Sequence, residues 1–230
     1  INRTYRVDGA GARFVLQRLH PTFRGEVNLD IDAVTKHLAA RGLVTPRIVP
    51  ARDGRLWVEA DGIWRLSTFV EGRTLAALDP PLARAAAELV GRFHRALSDL
   101  EHEFHFTRPG AHDTAAHLAK LRRLRDPAHP RADAVLPATD AVLDAAAGLP
   151  AVPRLPARIV HGDLKATNVR FDAARPTARA LVDLDTLAHD TLAVELGDAL
   201  RSWCNRTSEA DPEARFDEAI FTAAMDGYAA

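Results

Sequence analysis

His161-Gly162-Asp163-Leu164-Lys165-Ala166-Thr167-Asn168 is the stretch on which the reading of the whole chain turns. It sets an Asp and, five positions on, an Asn into a polar loop between two apolar runs, Arg158-Ile159-Val160 and Val169-Arg170-Phe171. A third run, Ala180-Leu181-Val182, ends in Asp183, twenty positions past Asp163. The pattern reads as strand, loop, strand, strand. Its hairpin spacing returns Asn168 beneath Asp163 and brings Asp183 in on a neighbouring strand. A His-Gly-Asp triplet alone is a turn signal; the weight comes from Asn168 and Asp183 at these separations. Phosphoryl transfer from a nucleotide needs such a set. One carboxylate orients the attacking hydroxyl and takes its proton, while an amide oxygen and a second carboxylate hold magnesium against the phosphates.

Around this stretch the chain is mostly helical. Asp79 before Pro80-Pro81 is a helix start, and Leu82, Ala86, Leu89, Val90, Phe93 and Leu97 recur at helical spacing. Residues 112–125, 132–147, 194–203 and 212–228 also read as helices, with a Pro-containing connector over 148–156. The first seventy residues differ. Two β-type runs, Thr4-Tyr5-Arg6-Val7 and Arg13-Phe14-Val15-Leu16-Gln17, flank a glycine-bearing turn. Ile31, Val34 and Leu38 then repeat helically over residues 30–41, with Gly42 as the stop. Residues 55–59 and 64–70 form a second strand pair around Asp61-Gly62. The expected architecture is α+β: a small antiparallel-sheet lobe over residues 1–70 and a mostly helical lobe over 71–230.

Composition narrows the function classes. The 230 residues carry 30 basic and 31 acidic side chains, a net charge of −1, which gives no bulk attraction to a polyanion such as nucleic acid. Cys204 is the only cysteine, so an intrachain disulfide and a cysteine-based zinc cluster are both excluded. No apolar run approaches the roughly 18 residues that span a membrane, and no leader pattern is visible. A reducing cytoplasm is the expected location.

The His-Gly-Asp-x-x-x-x-Asn loop and the downstream strand ending in Asp resemble those of the aminoglycoside-phosphotransferase-like kinases, relatives of the eukaryotic protein kinases. The resemblance implies a two-lobed protein-kinase-like fold, ATP and magnesium as cofactors, and a small-molecule hydroxyl as acceptor. It implies Asp163 as catalytic base, Asn168 and Asp183 as magnesium ligands, and Lys165 touching the transferred phosphate, against the plain reading of a solvated lysine. Asp198 resembles the helix Asp that braces the catalytic loop, and residues 91–97 resemble the family's helix with its Leu-or-Phe-His pair, here Phe93-His94. Residues 67–70 would be the hinge, with Thr68, Phe69 and Val70 against the nucleotide. Gln17 stands where the family's phosphate-gripping strand lysine is expected. Arg18 beside it carries charge but points to the opposite face of a strand. Asp30 or Asp32 is the nearest partner acid on the first helix. The same plan places a glycine-rich loop immediately upstream of Ile1, and residues 228–230 inside the late helices.

Within the family, residues 14–19, the His112-Asp113-Thr114 triplet and Val182-Asp183-Leu184-Asp185-Thr186 are similar to the N-acetylhexosamine 1-kinase branch. That likeness implies a sugar or amino-sugar acceptor, with His112, Asp113 and Asp185 as substrate contacts; Asp185 also reads as a loop-capping carboxylate. Aminoglycoside and choline-type acceptors are the same-class alternatives. A nucleotide-binding pseudokinase, suggested by Gln17, is the alternative from another class. His102-Glu103-Phe104-His105, with His112, Asp113 and His117 after it, reads as polar loop and helix surface, with a metal site as the sharper alternative.

Overall fold

A computed structural model describes residues 2–9, 11–150, 155–207, 211 and 213–230. The chain divides into two compact units: residues 1–107 with 156–230, and residues 108–155. Both expected lobes contribute to the first unit.

The first unit opens with β1 (Arg3–Gly9) and β2 (Ala12–Arg18), an antiparallel hairpin in which Thr4 faces Gln17. Helix α1 (Val27–Ala40) follows, burying Val27, Ile31, Val34 and Leu38 along one stripe. Gly42 ends it: its φ of +75° is left-handed, which costs glycine little, and Leu43 N–H returns to the Leu38 carbonyl at 3.1 Å. β3 (Val58–Glu59) and β4 (Ile63–Thr68) complete a four-stranded sheet in the order β1-β2-β4-β3. β3 is shorter than the run 55–59 suggested, because only Val58 and Glu59 find partners on β4.

Helix α2 (Pro80–Ala96) starts where Asp79 and the two prolines predict; the Asp79 carboxylate accepts from Leu82 N–H at 3.0 Å. It packs on the terminal helix α6 (Glu218–Ala229), where Gly227 passes the Arg84 carbonyl so closely that a β-carbon would lie 2.2 Å from it. Between them run β5 (Ala157–Val160), β6 (Val169–Phe171), β7 (Ala178–Leu181), β8 (Ala188–Thr191) and α5 (Leu192–Trp203). β6 pairs with β7, and β5 with β8. β8 was not foreseen: Ala-His-Asp-Thr has no strand signature and is extended by pairing with β5. The helix expected over 212–228 begins later, at Glu218, because Asp217 caps it by accepting from Ile220 N–H at 3.0 Å. Pro212 and residues 151–154 of the connector lie outside the described residues.

The second unit holds α3 (Thr114–Leu124) and α4 (Ala132–Ala147), joined by an Arg125–Asp140 ion pair at 2.7 Å. Among the described residues, no helix is long and apolar enough to cross a membrane.

Candidate active site

Strand β5 delivers the chain into the decisive loop, and two small facts of geometry shape the entry. Gly162 has φ +75°, and a β-carbon there would stand 2.4 Å from the Thr186 carbonyl oxygen. Only glycine takes that conformation in that space. Leu164 is wholly buried and anchors the loop, so Asp163 and Lys165 on either side face outward at 31% and 45% side-chain exposure. Lys165 Nζ donates to Asp163 Oδ2 at 2.6 Å. A 3₁₀ turn over Ala166–Asn168 then brings Asn168 back, and its Nδ2 donates to the Asp163 carbonyl at 2.8 Å and to Oδ2 at 3.1 Å. The amide nitrogen is committed to Asp163, which leaves the Asn168 oxygen as the end able to meet a cation.

Asp183 comes up beside this loop. Val182 N–H donates to the Asn168 carbonyl at 2.9 Å, and the Val182 carbonyl lies 3.0 Å from His161 Nε2. Asp183 has φ +65° and ψ +56°, an unusual left-handed conformation for a residue other than glycine, and leads into a 3₁₀ turn over Leu184–Thr186. Burial, and then the nearby Asp185 charge, push its carboxyl above the usual range.

Glu195 braces the loop from α5. Its carboxylate accepts from His161 N–H at 2.7 Å and Gly162 N–H at 2.9 Å, and meets His94 Nε2 at 3.3 Å. His94 in turn contacts the Tyr228 hydroxyl at 3.0 Å. This corrects the reading of Asp198, which pairs with Arg201 at 3.0 Å on the helix surface. α5 starts at the Thr191 cap, earlier than expected, and that start puts Glu195 in the first turn, next to the loop.

A cavity of about 320 Å³ is lined by Gln17, Thr68, Phe69, Val70 and Asp183, which brings together the expected nucleotide contacts and one expected metal ligand. Arg65 lines it too, a residue the sequence reading passed over. Gln17 Oε1 accepts from Arg65 Nε at 2.9 Å and Nη2 at 2.8 Å, across the pair that β2 and β4 place opposite one another. Arg18 does not reach this cavity. It pairs with Asp61 at 3.2 Å and lines a different one with Arg3 and His20, as the alternation of strand side chains requires.

Asp185, expected as a substrate contact or a loop cap, is buried in an ion pair with Arg65, Oδ2 to Nη2 at 3.0 Å, and also accepts from Asn2 Nδ2 at 2.5 Å. Neither candidate acid on α1 meets Gln17 or Arg65. Asp32 pairs with Lys36 at 2.6 Å, and Asp30 faces residues 102–106. In the second unit, Asp113 caps α3 by accepting from Ala116 N–H at 2.8 Å, and exposed His112 precedes it.

The family model described as APH, phosphotransferase enzyme family, matches residues 1–230. A homoserine kinase of Allorhizobium ampelinum is 33% identical over 174 residues, 73% of this chain and 50% of the relative. One from Mesorhizobium japonicum is 34% identical over 172 residues, 73% of this chain and 51% of the relative. The chain thus spans about half the length of the curated relatives it matches. Among solved structures, the GDP complex of aminoglycoside 2'-phosphotransferase-IIIa aligns with TM-score 0.65 at 16% identity, covering 99% of this chain and 74% of that one. A microcompartment-associated aminopropanol kinase aligns with TM-score 0.61 at 19% identity, covering 99% and 72%. At these identities the likeness shows the fold: α+β and kinase-like, as expected. The relatives are homoserine kinases, so the N-acetylhexosamine likeness is not what the overall match brings forward.

Proposed function

The chain belongs to the phosphotransferase enzyme family, and on that premise we propose that it forms the nucleotide-binding and catalytic part of an ATP- and magnesium-dependent small-molecule kinase. The observation that carries this is the cluster at the loop: Asn168 and Lys165 both bonded to Asp163, with Asp183 one residue past the Val182–Asn168 hydrogen bond.

In this reading the acceptor hydroxyl donates toward Asp163 as its oxygen bonds to the γ-phosphorus. The bond from that phosphorus to the β-phosphate bridging oxygen breaks, ADP departs, and the hydroxyl proton passes to Asp163. Asn168 and Lys165 fix the Asp163 carboxylate, and Lys165 offers charge to the phosphate in transit. The Asn168 oxygen and the Asp183 carboxylate are hard donors of the type magnesium takes, and they would hold it. When bound, magnesium would supply positive charge that offsets the phosphates' negative charge during transfer. Thr68, Phe69 and Val70 offer main chain and side chain to the base. Gln17 cannot neutralise a phosphate, and Arg65 on the neighbouring strand is already paired with Asp185, so the positive charge for the phosphates falls to Lys165 and the magnesium the site would hold.

For the acceptor, the homoserine kinases and the aminopropanol kinase favour a small alcohol that also carries an amine, a class that includes the amino sugars. The sugar reading rests on the likeness of residues 14–19, 112–114 and 182–186 alone. A cytoplasmic location fits a nucleotide-using enzyme whose lone cysteine is buried.

The test is ADP release by the full-length protein with MgATP against homoserine, aminopropanol, N-acetylhexosamines, an aminoglycoside and choline, beside Asp163→Asn. Turnover with one acceptor, reduced by at least about a thousandfold in the variant, is expected. Nucleotide binding with no transfer to any acceptor, unchanged in the variant, would establish a binding module instead.

A further inference from the structure

Away from the cleft, three side chains converge on one point. Asp30, on α1, is 1% exposed, and its Oδ1 lies 2.9 Å from His102 Nε2 and 2.9 Å from His105 Nδ1. The same oxygen accepts from His105 main-chain N–H at 2.9 Å, while Oδ2 accepts from Phe106 N–H at 3.0 Å. Among the described residues, no Lys or Arg pairs with this buried carboxylate.

Lone-pair counting shows the strain in that arrangement. A carboxylate oxygen has about two acceptor sites, and Oδ1 has three nitrogens within hydrogen-bond distance, two of them imidazole nitrogens that can present either a proton or a lone pair. A bound cation resolves the excess: it takes one lone pair of Oδ1 and one from each imidazole, and leaves the other Oδ1 site for His105 N–H. We propose that Asp30, His102 and His105 form a site for a divalent first-row transition metal, with a structural role.

The donor set decides the metal class. Two imidazoles and one carboxylate suit zinc, nickel or cobalt, whereas magnesium and calcium take oxygen ligands. Metal–ligand bonds of about 2.0–2.2 Å with Asp30 Oδ1 2.9 Å from each imidazole nitrogen put Asp30 at roughly 90° from each histidine. Moving half-exposed His105 by a few tenths of an ångström would open the angle toward a tetrahedron. His105 also leaves the outer side open to water.

The surroundings are built to hold these ligands. Oδ2 is fixed by Phe106 N–H. The His102 ring meets Phe104 edge-on at 4.9 Å, and the His102 carbonyl accepts from His189 Nε2 at 2.9 Å. Such outer contacts orient metal ligands. The metal would fasten residues 102–106 to α1, the helix that also carries Ile31 of the nucleotide cavity. The site uses none of the catalytic residues and stands whether or not the kinase reading holds.

The experiment is equilibrium dialysis of chelator-stripped full-length protein against zinc chloride, with millimolar magnesium present to occupy the cleft. One equivalent of zinc is expected in the wild type, with Kd raised at least about tenfold in His102→Ala and in His105→Ala. Zinc should also raise the melting temperature of the wild type and not of the variants. Far-ultraviolet circular dichroism identifies a variant that has failed to fold. In that event His102→Gln and His105→Gln, which keep a polar side chain, replace it. No zinc bound by the wild type, or an equivalent retained by both folded variants, would overturn the proposal.

Discussion

Arg65 of β4 and Asp185 of the turn after β7 are paired inside the protein, at 5% and 2% side-chain exposure, with Nη2 to Oδ2 at 3.0 Å and Nη1 bonded to Oδ1. The remaining Arg65 donors go to Gln17 and, at 3.4 Å, to Asn28. The pair therefore ties the four-stranded sheet to the turn that follows Asp183. The Asp185 carboxylate offsets the Arg65 charge, so the pair shapes the wall beside Gln17 without lending it a free cation.

Breaking that pair from one side leaves a buried charge without its partner. Arg65→Met and Asp185→Leu are each expected to cost about 3–5 kcal/mol in urea unfolding. The double variant should cost clearly less than the sum, because neither charge is then stranded. Additive costs in that cycle would mean the two side chains are not coupled. In the kinase assay, Arg65→Lys should keep more activity than Arg65→Met at equal folded fraction, since it preserves the charge while losing the fork.

Glu195 gives a pH-dependent counterpart. Burial alone would raise its carboxyl, but the hydrogen bond from His94, electrostatic attraction to the His161 ring and hydrogen bonds from the main-chain N–H groups of His161 and Gly162 outweigh burial and hold it below its ordinary value. A depressed carboxyl pKa contributes stability above the unfolded pKa and loses it as pH falls through the folded one. The wild type should therefore lose stability on acidification below the ordinary carboxylate range more steeply than Glu195→Gln. At pH 7, Glu195→Ala should cost about 3–5 kcal/mol, because it strands two main-chain donors and a buried histidine. Equal acid slopes for wild type and Glu195→Gln would refute the assignment of Glu195 as the brace that titrates.

The Arg65–Asp185 pair and Glu195 also mark where the sequence stopped being legible. Elements set by local chemistry were readable: the Asp79-Pro80-Pro81 cap, the Gly42 stop, and the strands whose side chains alternate. The juxtaposition at the loop was readable because Asp163, Lys165 and Asn168 lie within six residues of one another. Arg65 and Asp185 are 120 positions apart, and nothing local in either segment names the other. One signal was available: the hairpin order puts β4 beside β2, and strand alternation would then set Arg65 on the face of Gln17. For the brace, Glu195 and Asp198 stand one helical turn apart. The choice depended on where α5 begins, which the Thr191 cap decides and the apolar pattern over 194–203 concealed. β8 carries no signature because its partner creates it.

Cys204 offers a clean control on folding. It is fully buried, and burial, with the Asp217 carboxylate nearby, pushes its thiol up to about 11. The thiolate is the reactive form, so at pH 8 almost none is present in the folded protein. Labelling by a disulfide reagent should proceed only as fast as the protein opens, and denaturant should release one thiol per chain. Rapid labelling of the native protein would contradict the packing of α5.

Asp183 sets stability against function. Its raised carboxyl means that the folded protein holds the proton more tightly than the unfolded chain does. The sign is the reverse of that for Glu195: stability is greatest at low pH and diminishes as pH rises from the unfolded toward the folded pKa. At neutral pH the desolvated carboxyl is therefore a net cost to the fold, which the proposed role as a cation ligand would account for. Asp183→Asn removes the charge and keeps the shape, and should raise the melting temperature by roughly 2–4 °C, about 1 kcal/mol for a chain of this size. The same change should abolish magnesium-dependent nucleotide binding, read as loss of the magnesium-induced change in ATP affinity. Because the carboxyl is raised, that magnesium effect in the wild type should begin to fade at a higher pH than an ordinary carboxylate would allow. A variant both less stable and still magnesium-responsive would show that Asp183 serves the fold and that the cation is held elsewhere.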